Sequence, residues 1–199
     1  MKFLLFILLT GGLLAQVPYK SARFPTKTVG GPSGSPYTAG VSFTGTHSDY
    51  SYFGRSGGAP TYLACTFTAA TAGTLTSVNL DIAKTGSPTF TVFSAVYTDN
   101  GSGAPGTPIG SAGSINAAAF GTTEGTLTTI TGLSSLLEPG PTYWLIIWTT
   151  TAPANYTDFL TWWILINPPT GAQYKVSTSS DGITWTPIYS SNSAYKGNW

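Results

Sequence analysis

Apolar and polar residues alternate along most of the chain after Tyr50, which is the pattern of β-strands that have one buried and one solvated face. The clearest examples are Leu63–Phe67 and Val78–Ile82. Further strands are predicted at Phe90–Thr98, Thr126–Ile130, Thr142–Trp148, Thr161–Ile166, Tyr174–Ser177 and Thr184–Tyr189. Outside the first residues, no window of helical length has a 3.6-residue apolar period. The pattern therefore predicts an all-β protein.

Turn-forming residues separate these strands. Pro139–Gly140 fits a type II turn, because proline presets one dihedral angle and glycine supplies the positive one. Asp181–Gly182 lies between two β-rich runs and predicts a hairpin. Eight to ten short strands with regular turns indicate an antiparallel β-sandwich of jelly-roll type. We expect residues 41–199 to form this single sandwich domain.

The first fifteen residues have the layout of a secretory signal peptide. Lys2 precedes the apolar run Phe3–Leu9, and the small residue Ala15 marks the expected cleavage site before Gln16. The run is shorter than the ~20 residues that a membrane-spanning helix needs. We therefore expect a secreted, extracellular protein whose mature chain has no membrane span.

Residues 16–40 differ in composition from the rest of the chain. They are rich in proline, glycine and serine, and they carry Lys20, Arg23 and Lys27 without an acidic residue, so their net charge is +3. Residues 41–199 carry four basic and seven acidic residues, which gives −3. Such a composition predicts a flexible or extended basic arm in front of the sandwich. It is either a solvated linker or a segment that adds to a neighbouring copy.

Charged residues make up only 8% of the chain, against about 25% in an ordinary soluble domain. Without the signal peptide, seven basic residues balance seven acidic ones. This balance argues against nucleic acid as a partner, because phosphate binding requires clustered lysine and arginine. Cys65 is the single cysteine and lies on the apolar side of its strand, so we expect a buried thiol and no intrachain disulfide.

The sequence offers little for catalysis. His47 is the one histidine, and no Gly-x-Ser-x-Gly motif presents a nucleophilic serine to it. Glu124 and Glu138 are the only glutamates, and both stand near glycines in turn-like segments, which does not favour the paired carboxylates of a glycosidase. We expect no enzymatic activity, no catalytic residue and no cofactor.

The sequence contains one candidate for a metal site. Asp99 and Asn100 supply oxygen atoms ahead of a turn glycine, and calcium accepts such ligands. The full spacing of acidic residues and the bidentate glutamate of a calcium-binding loop are missing. A plain hairpin loop is the favoured interpretation, so no metal site is predicted.

Aromatic residues are the main candidates for ligand binding. The neighbours Trp162 and Trp163 point to opposite faces if they lie in a strand, which leaves one of them available at the surface. Rings at the surface stack on sugars, and serine, threonine and asparagine side chains add hydrogen bonds. The candidate ligand-binding residues are Trp162, Trp163, Tyr156, Tyr50 and Tyr52. The alternative is that these rings only pack the core.

Four segments between Thr66 and Trp185 carry a resemblance to a known family. They are Thr66–Leu80, Phe90–Ser111, Leu137–Trp148 and Ser179–Trp185. Together they resemble the choice-of-anchor type of domain in secreted bacterial proteins. The resemblance implies a β-sandwich that serves as a surface or extracellular module without assigned catalytic residues. Members usually end in a sorting signal or an apolar anchor, and the residues Tyr195–Trp199 contain neither, so we expect release or assembly.

The sequence as a whole favours a non-enzymatic extracellular β-sandwich that acts in surface interaction or binding. Two alternatives stay open. One is a structural subunit of an extracellular filament, sheath or virion, which would use residues 16–40 for assembly. The other is a carbohydrate-binding module. The expected partners are thus a glycan or further copies of the chain.

Overall fold

A computed structural model of the chain describes residues 42–43, 49–54, 61–150, 156–166, 175–188 and 193–199. The predicted signal peptide, the predicted basic arm and His47 lie outside these ranges. Within them, the chain forms thirteen strands and one 3₁₀-helix, Ala117–Ala119. The strands are β1 Ser42–Phe43, β2 Asp49–Phe53, β3 Tyr62–Thr68, β4 Gly73–Thr85, β5 Thr91–Asp99, β6 Pro105–Asn116, β7 Leu127–Leu137, β8 Thr142–Trp148, β9 Phe159–Ile166, β10 Val176–Ser179, β11 Thr186–Pro187, β12 Ser193–Tyr195 and β13 Gly197–Asn198.

The strands form two antiparallel sheets. In the first sheet the long strands are ordered β2-β9-β4-β7, and β1, β12 and β13 join them at one end. The second sheet has the order β11-β10-β3-β8-β5-β6. From β2 to β9 the chain crosses to the other sheet at every connection except the β5–β6 hairpin, which gives the strand order of a jelly roll. The predicted all-β, jelly-roll-like sandwich is therefore confirmed.

The main core lies between the sheets and consists of the inward residues of each strand. In β3 these are Leu63, Cys65 and Phe67, as the alternation predicts. Strand β8 lies between β3 and β5 and is apolar on both faces, because Trp144 and Ile146 are also buried, on its outer side. A strand covered on both faces needs apolar residues at consecutive positions, and this explains the uninterrupted apolar run in β8.

Strand β6 was not predicted from the sequence. Its residues are mostly glycine, serine, proline and alanine, so it lacks the bulky alternation that indicates a strand. The small residues let β6 approach β7 at the edge where the two sheets meet. The Ser111 amide donates to Ser134 Oγ at 3.0 Å, and Ser135 Oγ donates to the Ile109 carbonyl at 2.8 Å. A Cβ atom at Gly110, whose φ is +70°, would collide with the Ser134 carbonyl oxygen. Glycine and serine thus close this edge of the sandwich.

The predicted hairpin around Asp181 is present as β10 and β11, although its loop of residues 180–185 is longer than a two-residue turn. The Asp181 carboxylate accepts from the amides of Ile183 and Thr184, each at 2.8 Å, and from Ser179 Oγ at 2.8 Å. The hydrogen bonds from Thr184, Ile183 and Ser179 lower the pKa of Asp181 to about 2. The Asp181 carboxylate therefore fixes the backbone conformation of the loop through these hydrogen bonds.

The C-terminal residues enter the first sheet where β4 and β9 separate. Strand β12 pairs with β9, and β13 pairs with β4. Between them, the Lys196 side chain contacts Asp81 at 3.0 Å and Glu124 at 2.5 Å, and it is only 8% exposed. Burial opposes the charge of Lys196, but the hydrogen bonds with Glu124 and Asp81 outweigh this effect and raise its pKa. The Lys196 carbonyl accepts from Trp162 Nε1 at 2.9 Å. Ion pairs and a buried tryptophan therefore hold the C-terminal segment in place.

Candidate functional site

An aromatic cluster lies on the outer face of the first sheet, where β2 pairs with β9. We call Tyr50, Tyr52, Phe159 and Trp163 the first-sheet aromatic cluster. The rings of Tyr50 and Tyr52 are 5.0 Å apart, those of Tyr50 and Trp163 are 6.0 Å apart, and those of Tyr52 and Phe159 are 5.0 Å apart. Their strand positions alternate with the inward residues Ser51 and Phe53. The structure thus brings together three of the five predicted ligand-binding residues and adds Phe159.

Trp162 was predicted as a candidate for ligand binding, and this prediction is wrong. Its side chain is fully buried and stacks on Tyr195 with ring centroids 4.0 Å apart and planes 9° from parallel. The expected alternation of the two tryptophans is confirmed, because Trp163 points outward. Trp162 faces the core, where the C-terminal segment packs against it through the Tyr195 ring and the Lys196 carbonyl. Trp162 is a structural residue.

The tyrosines of the cluster provide hydroxyl groups at the surface. Tyr50 is 44% exposed, and its hydroxyl accepts from the Tyr52 hydroxyl at 3.4 Å. This hydrogen bond, together with repulsion between the two phenol groups, raises the pKa of Tyr50. The Tyr50 hydroxyl is therefore neutral at physiological pH, and a phenol hydroxyl can both donate and accept a hydrogen bond. Tyr156, the fifth candidate, is 58% exposed in the segment directly before β9.

The outer face of the second sheet carries a second set of rings. Trp148 is stacked between Tyr62 and Phe93, with centroid distances of 6.3 and 5.4 Å, and Trp185 meets Tyr62 edge to face. All four side chains are partly buried. Sequence reasoning did not single out this face as a site, although the apolar positions on both faces of β8 were the available signal. The stacked rings cover the buried residues Ala64 and Ile146 beneath them.

A polar pocket opens at the other end of this outer face. It has a volume of about 450 Å³ and is lined by Thr66, Asp99, Gly101, Gly103, Thr142 and Lys175. Trp144 Nε1 donates to one carboxylate oxygen of Asp99 at 2.9 Å, and the Gly101 amide donates to the other at 2.7 Å. The Lys175 amide donates to Thr66 Oγ1 at 2.7 Å. The pocket thus has walls fixed by hydrogen bonds.

The calcium candidate lies beside this pocket in the loop between β5 and β6. Asn100 Oδ1 accepts from the amides of Ser102 and Ala104 at 2.8 and 3.2 Å, and both carboxylate oxygens of Asp99 also accept protein donors. The Asn100 oxygen and one Asp99 oxygen thus bond to the turn, whereas the other Asp99 oxygen bonds to Trp144 of β8. Among the described residues, no group of three or more histidine, cysteine, aspartate or glutamate side chains is placed to hold a metal ion.

The remaining candidates have local partners. Glu124 is the ion-pair partner of Lys196, and the backbone of Glu138 bonds to the Tyr143 hydroxyl. Cys65 is buried, as predicted, and desolvation raises the pKa of its thiol to about 12. A thiol with such a pKa is protonated, and therefore unreactive, at neutral pH.

In the part of the chain that the structure describes, no helix has the length and apolar character needed to cross a membrane. No protein-family model and no curated protein matches the sequence. The resemblance to the choice-of-anchor domains therefore stays a prediction.

Proposed function

We propose that this protein is a secreted, non-enzymatic β-sandwich module, similar to the choice-of-anchor domains, that binds carbohydrate through the first-sheet aromatic cluster. The observation that carries the proposal is the contact among the rings of Tyr50, Tyr52, Trp163 and Phe159 on one outer sheet face. A rigid sheet holds these rings at fixed positions, which limits the entropy lost when a ligand orders them.

The chemistry of the cluster suits a sugar. The C–H groups of a pyranose form an apolar face that packs on an aromatic ring, while its hydroxyls require hydrogen-bond partners. The tyrosines combine an apolar ring with a polar tip, whereas Trp163 offers its ring alone because its Nε1 is buried. The hydroxyls of Tyr50 and Tyr52 lie together at the edge of the cluster, where they can bond to sugar hydroxyls. Retention of a neutral polysaccharide is therefore the expected activity.

The test is binding of the full chain to insoluble chitin, cellulose and starch, together with a glycan array. Trp163→Ala and Tyr50→Ala should each weaken retention about 10-fold, since residues of this kind carry 1–2 kcal/mol or more of a binding energy. Trp185→Ala is the matched control and should leave retention unchanged, because Trp185 is a partly buried tryptophan whose ring meets Tyr62 on the outer face of the second sheet. Absence of binding to every glycan, or equal loss in all three variants, would refute the proposal.

A second candidate function is that of a structural subunit of an extracellular assembly. The observation that favours it is the opposite charge of residues 16–40 (+3) and residues 41–199 (−3), which would attract the arm of one copy to the sandwich of the next. Light scattering of the purified protein should then show high-mass species that disappear when residues 16–40 are deleted. Mass spectrometry of the exported protein tests secretion, with Gln16 expected as the first residue.

A further inference from the structure

We propose that the polar pocket of the second sheet is a separate binding site for one neutral sugar residue. The inference depends on the proposed function only for the class of ligand, because the pocket shares no residue with the first-sheet aromatic cluster. The sequence singled out only Asp99 among its lining residues, as part of the calcium candidate, because the walls come from β3, β5, β8, the β5–β6 loop and the residue before β10.

The walls of the pocket are preorganised. Thr66 and Lys175 are joined by three hydrogen bonds. The Lys175 carbonyl accepts from the Thr66 amide at 2.9 Å and from Thr66 Oγ1 at 3.5 Å, and the Lys175 amide donates to Thr66 Oγ1 at 2.7 Å. The carboxylate of Asp99 is oriented by Trp144 Nε1 and by the Gly101 amide. Each carboxylate oxygen has a second lone pair, so Asp99 retains acceptor capacity for a ligand. A ligand therefore meets polar groups that do not need to reorganise.

Opposite charges face the same space in this pocket. The two ion pairs among the described residues both involve Lys196, so none within 4 Å joins Asp99 to Lys175. An anion would be repelled by Asp99 and attracted by Lys175, and a cation the reverse, so an ion of either sign gains little net attraction. A sugar has no charge, yet each of its hydroxyls both donates and accepts. It can donate to Asp99 and accept from Lys175 together, while the Thr142 hydroxyl serves either role.

The glycine at position 103 and the volume of the pocket are both compatible with a small ligand. Gly103 has a φ of +77°, and a Cβ atom there would collide with the Lys175 ammonium group. Glycine at this position thus allows Lys175 to reach the pocket. The volume of about 450 Å³ falls in the range of roughly 300–1,000 Å³ that is typical of small-molecule sites.

The experiment uses the full chain and the methyl glycosides of glucose, galactose, mannose and N-acetylglucosamine as probes, with saturation-transfer NMR as the readout. We expect at least one probe to bind, and Lys175→Met and Thr142→Val each to weaken it about 10-fold, because each removes a ligand hydrogen bond. Thr68→Val is the matched control, since Thr68 is exposed and pairs with Thr142 across the strands but does not line the pocket. Thermal unfolding verifies that each variant is folded.

Three results would overturn the inference. The first is that no probe binds at a concentration of about 20 mM, which is about the weakest affinity that matters for such a site. The others are that Thr68→Val has the same effect as Thr142→Val, or that glycine and phosphate bind while the glycosides do not. The proposal for the first-sheet aromatic cluster is tested by a separate measurement. Tyr50→Ala should leave glycoside binding to the pocket unchanged, and Lys175→Met should leave polysaccharide retention unchanged, so failure of one site is distinguishable from failure of the other.

Discussion

The adjacent tryptophans of β9 allow a sharp test of the fold, because identical substitutions one residue apart should have unequal effects. Trp162 is fully buried, stacks on Tyr195 at 4.0 Å and donates from Nε1 to the Lys196 carbonyl. Trp162→Ala would open a cavity between β9 and the C-terminal segment. Trp163 is only partly buried, and its edge contact with Tyr50 is at 6.0 Å on the outer face.

The magnitudes follow from these environments. Truncation of a buried tryptophan to alanine costs about 4 kcal/mol through lost burial and the cavity left behind. The hydrogen bond adds little, because the Lys196 carbonyl also accepts from the Asp81 amide at 3.2 Å. Trp163→Ala should cost about 1 kcal/mol, as is usual for a partly exposed site. The expected difference of ~3 kcal/mol is a large fraction of the 5–15 kcal/mol by which domains are usually stable.

The assay is equilibrium unfolding in urea followed by far-UV circular dichroism, because tryptophan fluorescence itself changes in both variants. If Trp162→Ala does not fold, Trp162→Phe provides the measurement, since phenylalanine keeps a ring against Tyr195 and should cost about 2 kcal/mol. The reasoning is refuted if Trp162→Ala and Trp163→Ala differ by less than ~1 kcal/mol, or if Trp163→Ala is the more damaging.

Three further outcomes are expected. Lys196→Met should lower the free energy of unfolding by about 3 kcal/mol, because it leaves the buried Asp81 carboxylate without its cation. Lys175→Met is the same change at an exposed site, and it should change the free energy of unfolding by no more than ~0.5 kcal/mol. The pKa of Asp181 is about 2 in the folded chain against an ordinary value of 3.8, so its contribution to stability is present above pH 3.8 and lost as the pH falls through 2. An acid titration of Asp181→Asn should lack that loss, and a parallel titration would contradict the role of the carboxylate. Cys65 should resist Ellman's reagent at pH 8 in the native protein and react after unfolding in urea, because its folded pKa is about 12; fast labelling of the native chain would show that the thiol is not buried.

Part of the candidate site could be predicted because strand alternation is a local property. The sequence placed Trp162 and Trp163 on opposite faces, and it grouped Tyr50 and Tyr52 as candidates for the surface. It could not decide which tryptophan faces the core, since that depends on the strands that flank β9 and on the C-terminal segment. Phe159 was missed because its ring meets Tyr52 only through the pairing of β2 with β9.

The sequence by itself determined the class of the fold and several burial patterns. Period-two alternation, frequent turn residues and the apolar run of β8 require antiparallel sheets with a covered central strand, and the apolar position of Cys65 required a buried thiol. These are properties of neighbouring residues and of the pleat. Only the tertiary structure decided that the glycine-rich β6 is a strand, because its pairing with β5 defines it rather than its own side chains.

The tertiary structure alone also decided the long-range sites. The Lys196 ion pairs join residues that are far apart in sequence, and the polar pocket collects side chains from five separate segments. Such contacts depend on how strands are ordered across two sheets, and no local pattern records that order. Hydrophobic periodicity therefore fixed the buried face of strands with a clear alternation, such as β3, whereas the tertiary structure fixed the inward face of β9 and which polar groups meet.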